Sequence, residues 1–437
     1  MAYTTSSNLL TASQTNGASV SPYAVISVVT VEGSAAVAYD VDDRLVYLRV
    51  HEEVWDGNAE IWLRNDDNAL DALNYHGRRV HFEFGYNTAG GDESIKRPDQ
   101  WIVRQTFQNQ EGRAYLILYC VSIWTILGYQ NSGGDAVGAA PAFNIGSFTD
   151  TIQEICENLL ARVKIAGYAS GIGLSTQVGN LDVFTPQTET SPRTKGYDGG
   201  SGGVSGGSAI FSSGVFKEYE PQVLVDWTSP IRGVLRNLLT LTEVRLQPSQ
   251  GSAGDVAGLN FRARWLNPSE SADWTIESSG TSNVLYRYRN MADSLVIPNK
   301  VIYAQTEVDA DQSSTVWAMK TNAASVSRIG ALGTTILYPQ DGTEIGNQTS
   351  TISLIDECDL RAQRAMFAIE AEVYQGEITM RPHVGFEIFD KVTVNDTRWG
   401  TSSFTSRIGM IEMVLDQRPG VSDNEWDRYY ADVAFGV

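Results

Sequence analysis

Hydrophobic positions along this chain follow two periods, and the first hundred or so residues follow the shorter one. Residues 23–31, 44–50 and 59–64 read as strands. The clearest strand lies in RRVHFEFGYN. There Val80, Phe82, Phe84 and Tyr86 alternate with Arg79, His81, Glu83 and Gly85, the period-two pattern of a half-buried strand. After the polar loop NTAGGDESIKRPDQ, the runs WIVRQTFQ and RAYLILYCV flank a turn at 109–112 and predict a hairpin. The apolar stretch AYLILYCVSIWTILGY, 114–129, is rich in aromatic and β-branched residues and reads as a buried strand entering a short helical turn. It falls short of the roughly 18–20 residues that a membrane-spanning helix needs.

The longer period then takes over. Residues 131–147 are Gly/Ala-rich and read as a linker. In TDTIQEICENLLARVKI, Ile152, Ile155, Cys156, Leu159, Leu160 and Val163 share one helical face, and Thr151 with Glu154 predicts a capping box. Residues 196–208, GYDGGSGGVSGGS, predict a flexible loop without the Lys of a phosphate loop. A second helix is expected in IRGVLRNLLTLTE, with Ser229 as N-cap and Pro230 at the first helical position. Strands resume at LNFRARW, DWTIES, NVLYRYRN and IPNKVIYAQTEV. A third helix, 353–371, carries Ile355, Cys358, Ala362, Met366 and Ile369 on one stripe. It leads into strand-like VYQGEITMRP, HVGFEIFDKVTVND and FTSRIGMIEMVLDQ, and the chain closes on a polar tail containing DRYYADVAFGV.

Composition narrows the function. The length suggests two to four domains. Lys and Arg total 32 against 52 Asp and Glu, a net charge of -20, so the basic footprint of a stable nucleic-acid binder is missing. The opening MAYTTSSNLL is polar and unlike a signal peptide, which points to a soluble protein made in the cytoplasm. Cys120, Cys156 and Cys358 lie far apart in apolar surroundings and read as small buried hydrophobes. His76 and His81, five apart on a strand, point to opposite faces; His51 and His383 stand alone. The acidic run Asp40–Asp43 and the pair Asp309 and Asp311 lack the glycine and closing Glu of a calcium loop. No catalytic, cofactor-binding or metal-ligating residue is therefore assigned, and the chain reads as a non-enzyme without a cofactor.

Three segments carry a likeness to a known family. The first is NDDNALDALNYHGRRVHFEFGYN, with an Asn/Asp turn at 65–68, Gly77 before the alternating strand, and Gly85–Tyr86 at its end. The second is YRYRNMADSLVIPNKVIYA, where Pro298, Asn299, Lys300 and Val301 open a strand. The third is DLRAQRAMFAIEAEVYQGEITMRPHVGFEIFDKVTVND, a helix feeding a strand, then Gly376, Pro382 and a longer-than-usual Gly–Asp–Val segment over 385–392. In this order the chain resembles the bacteriophage tail hub family. That family includes the central baseplate hub of contractile tails and the tail hub, or N-terminal module of the tail-associated protein, of long non-contractile tails. Ser122 stands where many hubs place an Asp.

The resemblance implies an α+β, mainly β fold: two β-barrel domains of tail-tube-like type with helix-containing middle domains. The expected units are a first ring-forming barrel at 1–130, a middle α+β region at 131–300 that includes the 196–208 loop, and a second barrel at 301–437 with the 353–371 helix. The two halves show no visible sequence alignment. Three subunits would give six barrels, joining a sixfold tail tube to a threefold tip. The implied role is a structural homotrimer of the virion tail tip. Its implied partners are itself, a distal tail or tail-tube ring, a tip fibre or spike, and the tape measure protein as a further candidate. DNA contact would be limited to passage during ejection. The alternatives are a receptor- or carbohydrate-binding tail-tip protein, a hub fused to a cell-wall hydrolase, for which little chain remains after the second barrel, and a secreted β-rich glycoside hydrolase.

Overall fold

The computed structural model describes residues 6–14, 21–32, 35–110, 112–132, 150–163, 165, 172–176, 182–187, 195–197, 209–223, 228–249, 259–277, 286–290, 296–308, 313–330, 334–337, 343–344, 354–373, 375–395, 403–421 and 428–437. The N-terminal part contains α1 (Ser7–Gln14), β1 (Ser21–Glu32), β2 (Ala35–Asp40), β3 (Leu45–Glu53), β4 (Asp56–Arg64), β5 (Arg79–Thr88), β6 (Gly91–Gln110), β7 (Arg113–Ser122) and α2 (Ile123–Tyr129). The middle contains α3 (Ile152–Ala161), β8 (Gly173–Thr176), β9 (Lys195–Tyr197), α4 (Val215–Glu218), β10 (Gln222–Val223), α5 (Ile231–Leu239), β11 (Val244–Pro248), β12 (Asn260–Trp265), β13 (Trp274–Glu277) and β14 (Tyr286–Asn290). There follow β15 (Lys300–Val308), β16 (Ser313–Thr321), α6 (Ala323–Ile329), β17 (Thr334–Leu337), β18 (Thr343–Glu344), α7 (Leu354–Glu372), β19 (Gly376–Met380), β20 (Lys391–Asn395), β21 (Phe404–Asp416) and β22 (Tyr429–Phe435). The chain is mainly β, as expected.

One sheet dominates. Its path runs β14-β19-β22-β21-β3-β4-β7-β6-β5-β1-β2, with β20 also on β21 and β13 on β20. Alternation builds it: Val80, Phe82 and Phe84 turn into a core shared with Leu48, Val50, Ile61, Ile411, Met413 and Val433. A second core lies between α2, α3, α5 and the sheet β11-β12-β8. There the predicted stripe of α3 is buried, and its capping box forms between Thr151 and Glu154. A third, smaller core packs Ile355, Cys358 and Ala362 of α7 on Tyr303, Val316 and Ala318 of the sheet β17-β15-β16-β9.

Within the dominant sheet, the same unit occurs twice. In chain order its strands are β3, β4, β5, β6, β7 and then β14, β19, β20, β21, β22, and each set pairs in the order first-second-fifth-fourth-third, always antiparallel. Two of the irregularities coincide, whereas the slip of β5 against β6 between Val80 and Phe82 has no counterpart between β20 and β21. The first and second strands slip between Leu45 and Tyr47 in one unit and between Tyr286 and Tyr288 in the other. The fourth and fifth slip at Val103, between Ile102 and Arg104, and at Gly409, between Ile408 and Met410. Even the entry to the third strand matches. Gly77 N–H donates to the Ile102 carbonyl at 2.7 Å, and Phe389 N–H donates to the Ile408 carbonyl at 2.8 Å. Both residues have left-handed backbone, at φ 75° and 76°. For Gly77 that geometry is free of a Cβ penalty; for Phe389 it costs on the order of 1–2 kcal/mol, which burial of the ring offsets.

Several expectations change. The expected 301–437 unit is divided between two sheets. β15, β16 and β17 belong with β9 under α7, whereas the second copy of the unit draws its first strand from 286–290. Among the described residues β14 and β2 are each paired on one side. Pro230, rather than Ser229, is the N-cap of α5, with no side-chain cap bond. Its fixed φ of -60° suits either position, so the sequence did not separate them. The closing "polar tail" is β22, whose Tyr429, Ala431, Val433 and Phe435 are buried by β21 and β19. In the 196–208 loop, Gly196 and Tyr197 pair with β16; 198–208 lie outside the described residues, as do 133–147 of the expected linker and Asp309 and Asp311.

Candidate assembly site

Two features organise the molecule: a joint between the repeated units, and a buried segment on which three regions meet. The joint is the antiparallel pairing of β3 with β21, from Met410 opposite Glu53 to Asp416 opposite Tyr47. On its inner side Leu48, Val50, Ile411, Met413 and Leu415 are buried. On its outer side Glu412 lies opposite His51. It accepts from Arg49 Nη2 at 2.7 Å and meets His51 Nδ1 at 3.2 Å. Burial alone would raise the Glu412 pKa, but these two partners outweigh it and hold it at about 2. At the end of the joint, Arg418 grips Asp416 through Nε at 2.9 Å and Nη2 at 2.6 Å. The same guanidinium lies 4.1 Å from the Tyr47 ring centroid and 4.8 Å from that of Trp62. The cations here are engaged, so the arrangement fastens strands.

The buried segment is 382–390. Tyr86 Oη donates to the Pro382 carbonyl at 2.8 Å. Arg97, 1% exposed, donates to the Phe386 carbonyl and to Glu52, both at 2.7 Å. From the middle region, Arg262 meets Glu387 at 2.8 Å, and Arg264 meets Asp390 at 2.7 Å and Asp273 at 3.0 Å. Trp274 Nε1 completes the shell of Asp390 at 3.0 Å. Breaking such a pair from one side leaves an uncompensated interior charge, so each contact is far more costly to lose than a surface bridge. The apolar alternation of HVGFEIFD gave no sign that Glu387 and Asp390 face arginines 120-odd residues earlier.

The histidines and cysteines also find structural places. His81 is buried between Asp99 and Glu83, at 2.9 and 3.1 Å, with Arg79 on the other oxygen of Asp99. Burial lowers its pKa, and the two carboxylates outweigh that and raise it. His76 is exposed beside the Val103 carbonyl, in the turn before β5 rather than on the strand, so the two histidines are apart for a reason other than strand alternation. His383 stacks on Phe386 with centroids 4.1 Å apart, and burial lowers it to about 3, leaving a neutral ring. All three cysteines are buried free thiols, pushed up in pKa by desolvation. Asp182, fully buried, accepts from the backbone of Phe216 at 3.2 Å and Glu243 at 3.0 Å, and desolvation raises it to about 6. Among the described residues no group of three or more His, Cys, Asp or Glu could hold a metal ion. No described helix is long and apolar enough to cross a membrane.

No family model matches the chain, and no curated protein matches it. Solved structures do. The tail protein from Neisseria meningitidis MC58 superposes with a TM-score of 0.53 over 95% of this chain and 96% of that one, at 9% identity. The 43 kDa tail protein of prophage MuSo2 from Shewanella oneidensis gives 0.53 over 95% and 98%, at 10% identity. At such identities the likeness is one of fold: this chain has the fold of phage tail proteins, over nearly its whole length.

Proposed function

We propose that the chain is a structural hub of a bacteriophage tail tip, in which three copies close into a ring. The carrying observation is the doubled unit. Two similar units per chain, joined edge to edge, turn a threefold ring into one with six similar faces. That form suits a sixfold tail tube on one side and a threefold fibre or spike on the other, with DNA passing through the centre during ejection. The ring-forming parts are then 21–122, and 274–290 with 376–437; the middle region and α7 brace them. In this reading the chain makes and breaks no bond. Its net charge of -20 suits a channel wall over which DNA slides without being held.

Sedimentation and negative-stain microscopy test the ring. The expected result is a ring at three times the 47.8 kDa chain mass. A monomer within the assembled tail would overturn the proposal. The pure chain is also expected to release nothing from peptidoglycan or polysaccharide. Hydrolysis abolished by one carboxylate substitution would refute the structural role.

A further inference from the structure

We infer that the end of β6, residues 108–110, and residues 288–290 of β14 are the two sides of one intermolecular joint. In it, β14 of one copy pairs antiparallel with β6 of the next, in the register that β3 and β21 already use within the chain. The inference rests on the ring reading for the existence of a neighbour, and adds which edges meet and how.

The repeated unit carries the argument. β3 and β14 are its first strands; β6 and β21 are its fourth. Inside the chain, the first strand of one unit is paired with the fourth strand of the other, β3 with β21. The complementary two, β14 and β6, are left over. Among the described residues β14 pairs only with β19. β6 pairs with β5 as far as Trp101, and Ile102 still bonds to Gly77 and Arg78; from Arg104 on, β7 is the one strand paired with it among the described residues. On β21 the equivalent side is filled, first by β20 and then by β3. Joining unlike edges of identical chains is a head-to-tail contact, which generates a ring when the rotation closes, and it removes the exposed strand edge.

Burial points the same way. The shared bulges align Val103 with Gly409 and therefore Phe107 with Met413. Met413, opposite Val50 of β3, is 2% exposed, whereas Phe107 is 48% exposed and Val103 is 50% exposed. The apolar cover that the joint gives to one unit is what the other lacks. Charge permits the contact as well. In a chain of net charge -20, neither β14 nor residues 103–110 contains a carboxylate, so neighbours meet here without opposing acids.

The register follows from the internal joint. There Asp416, Leu415 and Val414 oppose Tyr47, Leu48 and Arg49. Carried across through the matched bulges, Gln110 opposes Tyr288, Asn109 opposes Arg289, and Gln108 opposes Asn290 of the next copy.

Cysteine cross-linking tests this directly, because opposed Cα atoms in an antiparallel pair lie within disulfide range. The full chain carrying both Gln108→Cys and Asn290→Cys is purified, its mass measured, and then mildly oxidised. Disulfide-linked species at two and three chain masses are expected on a non-reducing gel. Each single variant should stay uncross-linked, as should Gln108→Cys combined with Tyr129→Cys, since Tyr129 is 82% exposed on another element. Phe107→Asp should weaken ring formation by at least about tenfold. A ring that forms without the 108–290 cross-link overturns this inference and leaves the ring reading standing. A chain that stays monomeric at every concentration, and uncross-linked in the assembled tail, overturns both.

Discussion

The two copies of the repeated unit differ less in backbone than in surroundings. Their strand order, two of their bulges and the left-handed entry residue coincide, yet Gly77 stands where Phe389 does, and Phe107 where Met413 does. In the first unit the segment before the third strand buries Leu70 and Tyr75 but leaves His76 and Gly77 exposed. In the second, the matching segment is buried among Arg97, Arg262 and Arg264. The difference teaches that hydrogen-bonded geometry can persist while side chains are reassigned according to what covers each copy. Phe389 accepts backbone strain because its ring has a core to enter; Gly77 has none to gain, and there the backbone requirement alone decides.

The largest effect is expected at the buried segment. Arg264→Met leaves Asp390 without its main partner, and should cost about 3–5 kcal/mol in denaturant unfolding. Arg79→Met in the first unit should cost less, because Asp99 keeps its bond to His81. Equal losses would mean that the two units depend alike on their buried pairs.

Next comes the joint. Met413→Ala should destabilise the isolated chain by about 2–5 kcal/mol, as a buried large-to-small change does. Phe107→Ala should stay within about 0.5 kcal/mol in the same assay. Similar losses at both positions would show that Phe107 is already covered.

A smaller effect, on the order of 1 kcal/mol once solvent screening is allowed for, should appear with pH. Glu412 is held at about 2, below its ordinary 4.5. Its contribution is therefore complete above pH 4.5 and is lost as pH falls toward 2. Asp182, raised from 3.8 to about 6, has the opposite sign: stability falls as pH rises through that interval, because the buried carboxyl must ionise. Glu412→Gln should flatten the acid limb of a stability–pH curve, and Asp182→Asn the slope between pH 4 and 6. An unchanged curve in either variant would remove that group from the account.

The smallest change is Gly77→Ala. Nothing crowds a Cβ there, so the left-handed backbone alone sets the cost, about 1 kcal/mol by thermal unfolding. No loss would mean that the turn relaxes, and that its match to Phe389 is incidental.

Period-two alternation made β5 and the β6–β7 hairpin legible, and the 3.6-residue stripe with Thr151 and Glu154 made α3 legible, because these signals are local; of the strand-like 383–396 only 391–395 is a strand, and what read as a polar loop before Trp101 holds the first half of β6, from Gly91. The same local signal misled at the end of the chain, where the alternation of Tyr429, Ala431, Val433 and Phe435 was lost among flanking polar residues. The duplication was invisible, since it resides in hydrogen-bond register and bulge position, which many side chains satisfy equally. The pairing of β3 with β21, and the meeting of Arg262 and Arg264 with Glu387 and Asp390, were decided only by the tertiary structure. Strand edges and buried charges choose partners by what space brings within about 3 Å, and separation along the sequence carries no record of that choice.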